Sequence, residues 1–227
     1  MIEEHVNFKS DGMKLEGVLS YDENAVNPPS MLLCSPHPHL GGDMENNVIT
    51  ALGKVLAERG FTTLRFNYRG VGNSESRLDN IAEEYKYWDD VLNNDNYSDA
   101  IVDAISALNF LESTCGTNRL YITGYSFGAI VAMMMSVKNA DIEAFAAIST
   151  PFGRFEPALM SDCRKPKMFI CADNDFASSI EDVEEGMLNV SEPKLLDVIS
   201  NCDHFYIDRE IEIANRVYDF FNRSNTK

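Results

Sequence analysis

The chain has 227 residues, 44% of them hydrophobic and 10% aromatic, enough for one domain with a sizeable core. Nineteen basic against 36 acidic side chains leave a net charge of −17, a surface that repels phosphate backbones and anionic lipid and so argues against nucleic-acid and membrane partners. No apolar run approaches the ~20 residues that span a bilayer, the first residues lack a secretory signal, and the five cysteines (Cys34, Cys115, Cys163, Cys171, Cys202) show no C-x-x-C spacing, which sets the expectation of a cytoplasmic protein.

Val6 and Phe8 before Asp11-Gly12, with Leu15, Val18 and Leu19 after it, predict an opening β-hairpin. Met31-Leu32-Leu33-Cys34 reads as a strand buried on both faces. It empties into Ser35-Pro36-His37-Pro38-His39-Leu40-Gly41-Gly42, which two prolines and two glycines keep from being helical. Val48, Leu52, Val55 and Leu56 follow at helical spacing as far as Gly60. A strand over 61–66 and a loop over 67–74 come next. From Glu75 to Asn96 the chain is polar and aromatic with poor periodicity, and reads as an insertion near the functional face carrying one short helix. Ile101, Ala104, Ile105, Leu108 and Leu111 mark a helix face.

Leu120 to Ile122 reads as a buried strand and Ala129 to Val137 as an apolar helix. Strands over 144–148, 167–171 and 195–199 follow, and Ile207, Ile211, Ala214, Tyr218 and Phe221 trace a final amphipathic helix. Strands alternating with helices predict an α/β protein whose mainly parallel sheet is covered on both faces, with an antiparallel hairpin at its start. In such sheets functional residues collect beyond the carboxyl ends of strands, which selects loops 35–42, 67–74, 124–128, 172–176 and 201–205.

Between the central strand and helix lies Gly124-Tyr125-Ser126-Phe127-Gly128, the G-x-S-x-G pattern of a nucleophile elbow. A serine on so tight a turn holds a strained backbone that crowds the positions two before and two after it, and the helix behind aims its first amides at the same spot. A serine hydroxyl needs a base, and the base an orienting carboxylate. Of the four histidines only His204 follows Ser126, as the order serine, acid, histidine requires. The acid should follow the preceding strand, where Asp173 and Asp175 both stand. Asp175 is favoured as the one that reaches across, with Asp173 taken up by the turn; Asp203 should point away from its neighbour His204. For an oxyanion, amide donors are expected from Phe127 and from the loop after Met31–Cys34, where Pro36 and Pro38 have no N–H, leaving His39 first and Leu40 next. The pair His37-x-His39 with Asp43 lacks the spacing of a zinc site, so no metal is expected.

Ser35-Pro36-His37-Pro38 with Gly41-Gly42, Arg65-Phe66-Asn67-Tyr68-Arg69-Gly70-Val71-Gly72-Asn73-Ser74, Gly124 to Ala129, and Asp203-His204-Phe205 together resemble the α/β-hydrolase superfamily, in particular its small bacterial hydrolases. The resemblance runs nearly the whole chain in the right order. It implies the α/β-hydrolase fold, a mostly parallel eight-stranded sheet with helices on both faces, as a single domain over 1–227. It further implies Ser126, Asp175 and His204 as a catalytic triad, with Arg69 as a structural anchor of its loop. The expected activity is hydrolysis of a small-molecule carboxylic ester through an acyl-enzyme, without a cofactor. The same triad would serve a peptidase, amidase or thioesterase on an amide or thioester substrate, and a non-catalytic binding protein on the same scaffold is the other class.

Two departures stand out: Ala172 where the family pattern has glycine, and a 75–96 segment longer than usual. Thr150 to Pro166 is too short for a helical cap, so the site is expected to be open unless 75–96 folds over it. Tyr85, Tyr87 and Trp88 are then expected to line the substrate pocket, the alternative being that they pack on the outer helices. With no basic patch evident near the elbow, strongly anionic substrates are disfavoured. Exposed edge strands leave a homodimer open.

Overall fold

A computed structural model describes residues 1–116, 119–154 and 157–224. Its eight strands are β1 (Ile2–Ser10), β2 (Met13–Tyr21), β3 (Ser30–Cys34), β4 (Thr62–Phe66), β5 (Leu120–Tyr125), β6 (Ile142–Ile148), β7 (Lys167–Asn174) and β8 (Lys194–Asp203), in the sheet order β1-β2-β4-β3-β5-β6-β7-β8. The helices are α1 (Asn47–Glu58), α2 (Ile81–Asn93), α3 (Ser98–Cys115), α4 (Phe127–Lys138), α5 (Ile180–Leu188) and α6 (Glu210–Ser224). β1 and β2 form the expected hairpin, Ser10 opposite Met13, and the turn residues Asp11 and Gly12 both take positive φ, as a two-residue hairpin needs. β2 also runs antiparallel to β4; every pairing from β4 through β3 to β8 is parallel.

The apolar run of β3 shows why the sheet is covered twice. Leu32 and Cys34 belong to a core shared with α3 and α4, while Met31 and Leu33, pointing the other way, belong to a second core shared with α1 and α6. Parallel strands need crossover helices, and helices on both faces leave the central strands no contact with water. Among the described residues no helix is long and apolar enough to cross a membrane.

Loop 67–74 is tied down by buried charge. Arg69 grips Asp103 of α3 through Nε at 3.0 Å and Nη2 at 2.8 Å, its own amide donates to the same carboxylate, and Ser10 donates to it from the hairpin. Arg69 is thus an anchor, with its guanidinium bonded away from the site.

Several elements differ from the sequence expectation, among them the loop after β3, where Pro38–Leu40 form one 3-10 turn. α2 is a full helix of 13 residues, capped by Asn80, rather than a short one; only Trp88 and Val91 of it are buried, too few to print a periodic stripe. α5 was not expected, and rests on the Ser179 cap and on buried Val183, Gly186 and Met187. β7 and β8 run on to Asn174 and Asp203, with a register shift after Ala172, which is fully buried in the strand. α6 begins at Glu210 because Tyr206 and Asp208 take positive φ; Ile207 and Ile211 are exposed, and the buried stripe is Ile213, Ala214, Val217 and Phe221.

Candidate active site

Ser126 sits between β5 and α4 at φ 55° and ψ −116°, a strained conformation held by its amide, which donates to Ile148 O of β6 at 2.8 Å. The flanking glycines are obligatory. A Cβ on Gly124 would lie 1.9 Å from Gly128 O, and one on Gly128 would lie 2.1 Å from Cys34 O. That close approach seats the first turn of α4 against the loop leaving β3.

Asp175 and His204 come together at the ends of β7 and β8. Nδ1 of His204 lies 2.8 Å from Asp175 Oδ1 and 3.0 Å from Oδ2. The carboxylate is fully buried and also accepts the amides of Ala177 at 2.8 Å and Ser178 at 3.1 Å. A carboxylate facing Nδ1 favours the tautomer of the neutral ring with its hydrogen on Nδ1, the form that leaves a lone pair on Nε2. Asp173 is spent on the neighbouring turn, where it accepts the amides of Asn201 and Cys202. Asp203 accepts the amide of Phe205 on the exposed side.

The His204 ring is bracketed by Tyr125, with ring centres 5.4 Å apart, and by Phe176 at 4.9 Å; the Tyr125 hydroxyl donates to His204 O. Phe176 and Ser126 line the same cavity, which places the hydroxyl and the imidazole at one end of the sheet. Ser126 Oγ and the His204 ring share no hydrogen bond.

The loop after β3 corrects the expected amide donor. His39 N–H is turned into its own loop and donates to His37 Nδ1 at 3.3 Å, and the amides of Leu40 and Gly42 both donate to His37 O. None of the three is free. The amide of His37 itself donates to no group among the described residues, and its ring packs edge-on to Phe127 at 5.3 Å. Burial lowers the pKa of His37 despite the nearby Trp88 carbonyl, and the ring is neutral: Nε2–H donates to Trp88 O at 3.0 Å while Nδ1 accepts from His39. With both ring nitrogens engaged, His37 has no lone pair for a metal.

The three aromatics of α2 do not line the cavity at Ser126. Tyr85 stacks on His39 at 4.2 Å, Tyr87 donates to Asp99 at 2.8 Å, and Trp88 is buried beneath against His37, Tyr68 and Phe127. One turn beyond Trp88 the helix instead presents Leu92, and Tyr97 follows from the start of α3. These, with Phe127, Ile130, Phe176 and Arg154, wall a cavity of about 340 Å³. A larger groove of about 550 Å³ lies elsewhere, between the starts of β7 and β8 and the end of α6, away from these groups.

The sequence model described as "alpha/beta hydrolase fold" matches residues 37–163, more than half of the chain. The chain belongs to the alpha/beta hydrolase family. A Rickettsia prowazekii protein, the uncharacterized RP471, is 30% identical over 86% of this chain and 79% of its own length. Among solved structures, the Agrobacterium tumefaciens protein ATU1826 aligns with a TM-score of 0.82 at 25% identity, over 97% of this chain and 96% of that one. An alpha-beta serine hydrolase homologue from Coxiella burnetii aligns at 0.79 and 26% identity, over 95% of each chain. The Xanthomonas campestris protein XC6422, described as a serine hydrolase without a lid, aligns at 0.80 and 21%, over 97% and 94%.

In this alpha/beta hydrolase the described residues between β6 and β7 include two short 3-10 turns, 152–154 and 157–160, and the segment has no room for a cap. The wall that a cap would supply comes partly from the end of α2. Leu92, Tyr97, Arg154 and Phe176 are the site residues that sequence reasoning missed. Phe176 could have been found, since it stands beside Asp175 in a selected loop; Arg154 carried no signal at all.

Proposed function

We propose that the protein is a serine hydrolase that cleaves a small carboxylic ester through an acyl-enzyme. The observation that carries this reading is the buried Asp175–His204 pair at the same end of the sheet as the strained Ser126. With Nδ1–H committed to Asp175, Nε2 of His204 is the base. It takes the Ser126 proton as Oγ bonds to the substrate carbonyl carbon. The tetrahedral oxyanion accepts hydrogen bonds from the amides of Phe127 and His37, each such donor being worth about 3 kcal/mol of barrier. On collapse the bond from the acyl carbon to the alkoxy oxygen breaks, His204 returns the proton to the leaving alcohol, and Ser126 is left acylated. Water then attacks the acyl carbon, gives its proton to His204 and releases the acid, and Ser126 is reprotonated. The hydrogen bond from nucleophile to base is often long before substrate arrives and closes with it. The Coxiella relative, a serine hydrolase homologue by description, supports the reading.

The test is labelling by a fluorophosphonate, with hydrolysis of short p-nitrophenyl esters alongside. Labelling and hydrolysis are expected of the wild type and absent in Ser126→Ala, and Asp175→Asn should lower kcat by about 10⁴-fold. Labelling that survives Ser126→Ala, or fails in the wild type, overturns the proposal. Thioesters and aminoacyl amides run in the same assay decide the leaving group, which fold and triad do not.

A further inference from the structure

Among the described residues Arg154 is the one cation lining the Ser126 cavity, whose other described walls are apolar apart from Ser126 itself, Tyr97 and the neutral ring of His37. Its guanidinium is held in place but little used. Nη1 donates to Leu92 O at 2.9 Å, and the nearest carboxylate recorded for it, Asp95, lies 3.7 Å away, outside hydrogen-bond distance. Nε and Nη2 donate to no group among the described residues. Elsewhere in the chain Arg65, Arg69, Arg77, Arg209 and Arg216 each put a guanidinium nitrogen within hydrogen-bond distance of a carboxylate. Arg154 is half exposed, so what singles it out is its place: a guanidinium held at one nitrogen on the wall of the Ser126 cavity, with two donors that face no group among the described residues and that a ligand carboxylate could take.

We infer that the site takes esters whose acyl part is a short apolar spacer ending in a carboxylate, which Arg154 binds. The inference rests on the serine hydrolase reading above. At about 340 Å³ the cavity is at the small end of ligand sites, which run from about 300 to 1,000 Å³. The spacer lies along Leu92, Tyr97 and Phe176, and the carboxylate accepts from Nε and Nη2, the paired geometry for which a guanidinium is shaped. Arg154 supplies the local cation whose absence near the elbow led overall charge to disfavour strongly anionic substrates.

The test sets monomethyl succinate, glutarate and adipate against methyl butyrate, valerate and hexanoate, pairs of equal acyl length, with methanol release as the readout. For at least one pair kcat/KM should favour the charged ester by roughly 10-fold or more. The ratio should fall toward one in Arg154→Gln; because it is taken within one protein, a partly inactive variant still reports it. On the unaltered protein, glutarate should inhibit methyl butyrate hydrolysis competitively and 1,5-pentanediol should not. A wild type that favours no charged ester, or a preference that survives Arg154→Gln, overturns the inference. Binding is read separately by calorimetry: glutarate should bind Ser126→Ala and not the Ser126→Ala, Arg154→Gln double variant. If the wild type takes no fluorophosphonate label, the hydrolase reading fails while this binding arm still decides the carboxylate site.

Discussion

Tyr125, one residue before Ser126, donates its hydroxyl to the backbone carbonyl of His204 and lays its ring 5.4 Å from the imidazole. Burial drives its pKa well above the ordinary tyrosine range, so it stays a donor wherever the protein is folded. Behind it stands Tyr206, edge-on, with its own hydroxyl paired to Ser149 at 2.7 Å. The loop carrying His204 is therefore fastened to the turn at Ser126 by a side chain that does not line the Ser126 cavity. In Tyr125→Phe the ring remains and only the fastening goes. Because small misplacements at a reacting centre are costly in rate, kcat should fall about 10-fold with KM little changed. A parallel rise in KM, or a loss confined to thermal stability, would show that the contact only supports the fold. At this scale the meeting of Asp175 with His204 and the strained turn at Ser126 were legible, because order along the chain and position after strands constrain them. Which amides of the loop after β3 are left free was not, because that depends on a turn: His39 spends its amide on the His37 ring, and no rule of residue type reveals that.

At the scale of elements, loop 67–74 has a second anchor besides Asp103, a carboxylate of β2. Glu16 accepts from Asn67 Nδ2 at 2.7 Å, from the Asn73 amide at 2.6 Å and from Asn73 Nδ2 at 2.9 Å. Gly72 makes this approach feasible, since a Cβ there would lie 2.3 Å from Glu16 Oε1. Burial pushes the Glu16 pKa up, but the Asn73 amide and the two asparagine side chains outweigh it, and the net shift is downward from 4.5. The folded state thus binds this proton less readily than the unfolded chain. The resulting stability is present above about 4.5 and is lost as pH falls through the lower folded value. Glu16→Gln should be less stable at pH 7 by about 1–3 kcal/mol, and urea melts should show the gap closing between pH 5 and 3, at about the range where Glu16 protonates. A gap independent of pH would mean that the carboxylate charge plays no part. The helices that differ from expectation do so for two reasons: α2 and α5 bury too few side chains to show a period, and the start of α6 is set by two positive-φ residues rather than by its apolar spacing.

Across the whole molecule, the parallel sheet carries every candidate group to one edge: His37 beyond β3, Ser126 beyond β5, Asp175 beyond β7 and His204 at the end of β8. This much was readable from the alternation of apolar runs, because a parallel strand buried on both faces leaves only its ends for chemistry. The charge of −17 acts at the same scale and against stability, since a compact chain holds like charges closer together than an unfolded one. Salt screens that repulsion, the Debye length shrinking from about 30 Å at 0.01 M to about 3 Å at 1 M. It also weakens exposed ion pairs such as Arg77–Asp11, but those contribute only about 0–1 kcal/mol each. Repulsion among so many uncompensated carboxylates should win. Scanning calorimetry should therefore show Tm rising by several degrees between 0.01 and 0.5 M NaCl, at about 2–4 °C per kcal/mol for a chain of this size. Potassium chloride should reproduce the rise, as screening requires and a specific sodium site would not. A falling Tm would place the local pairs above the global field.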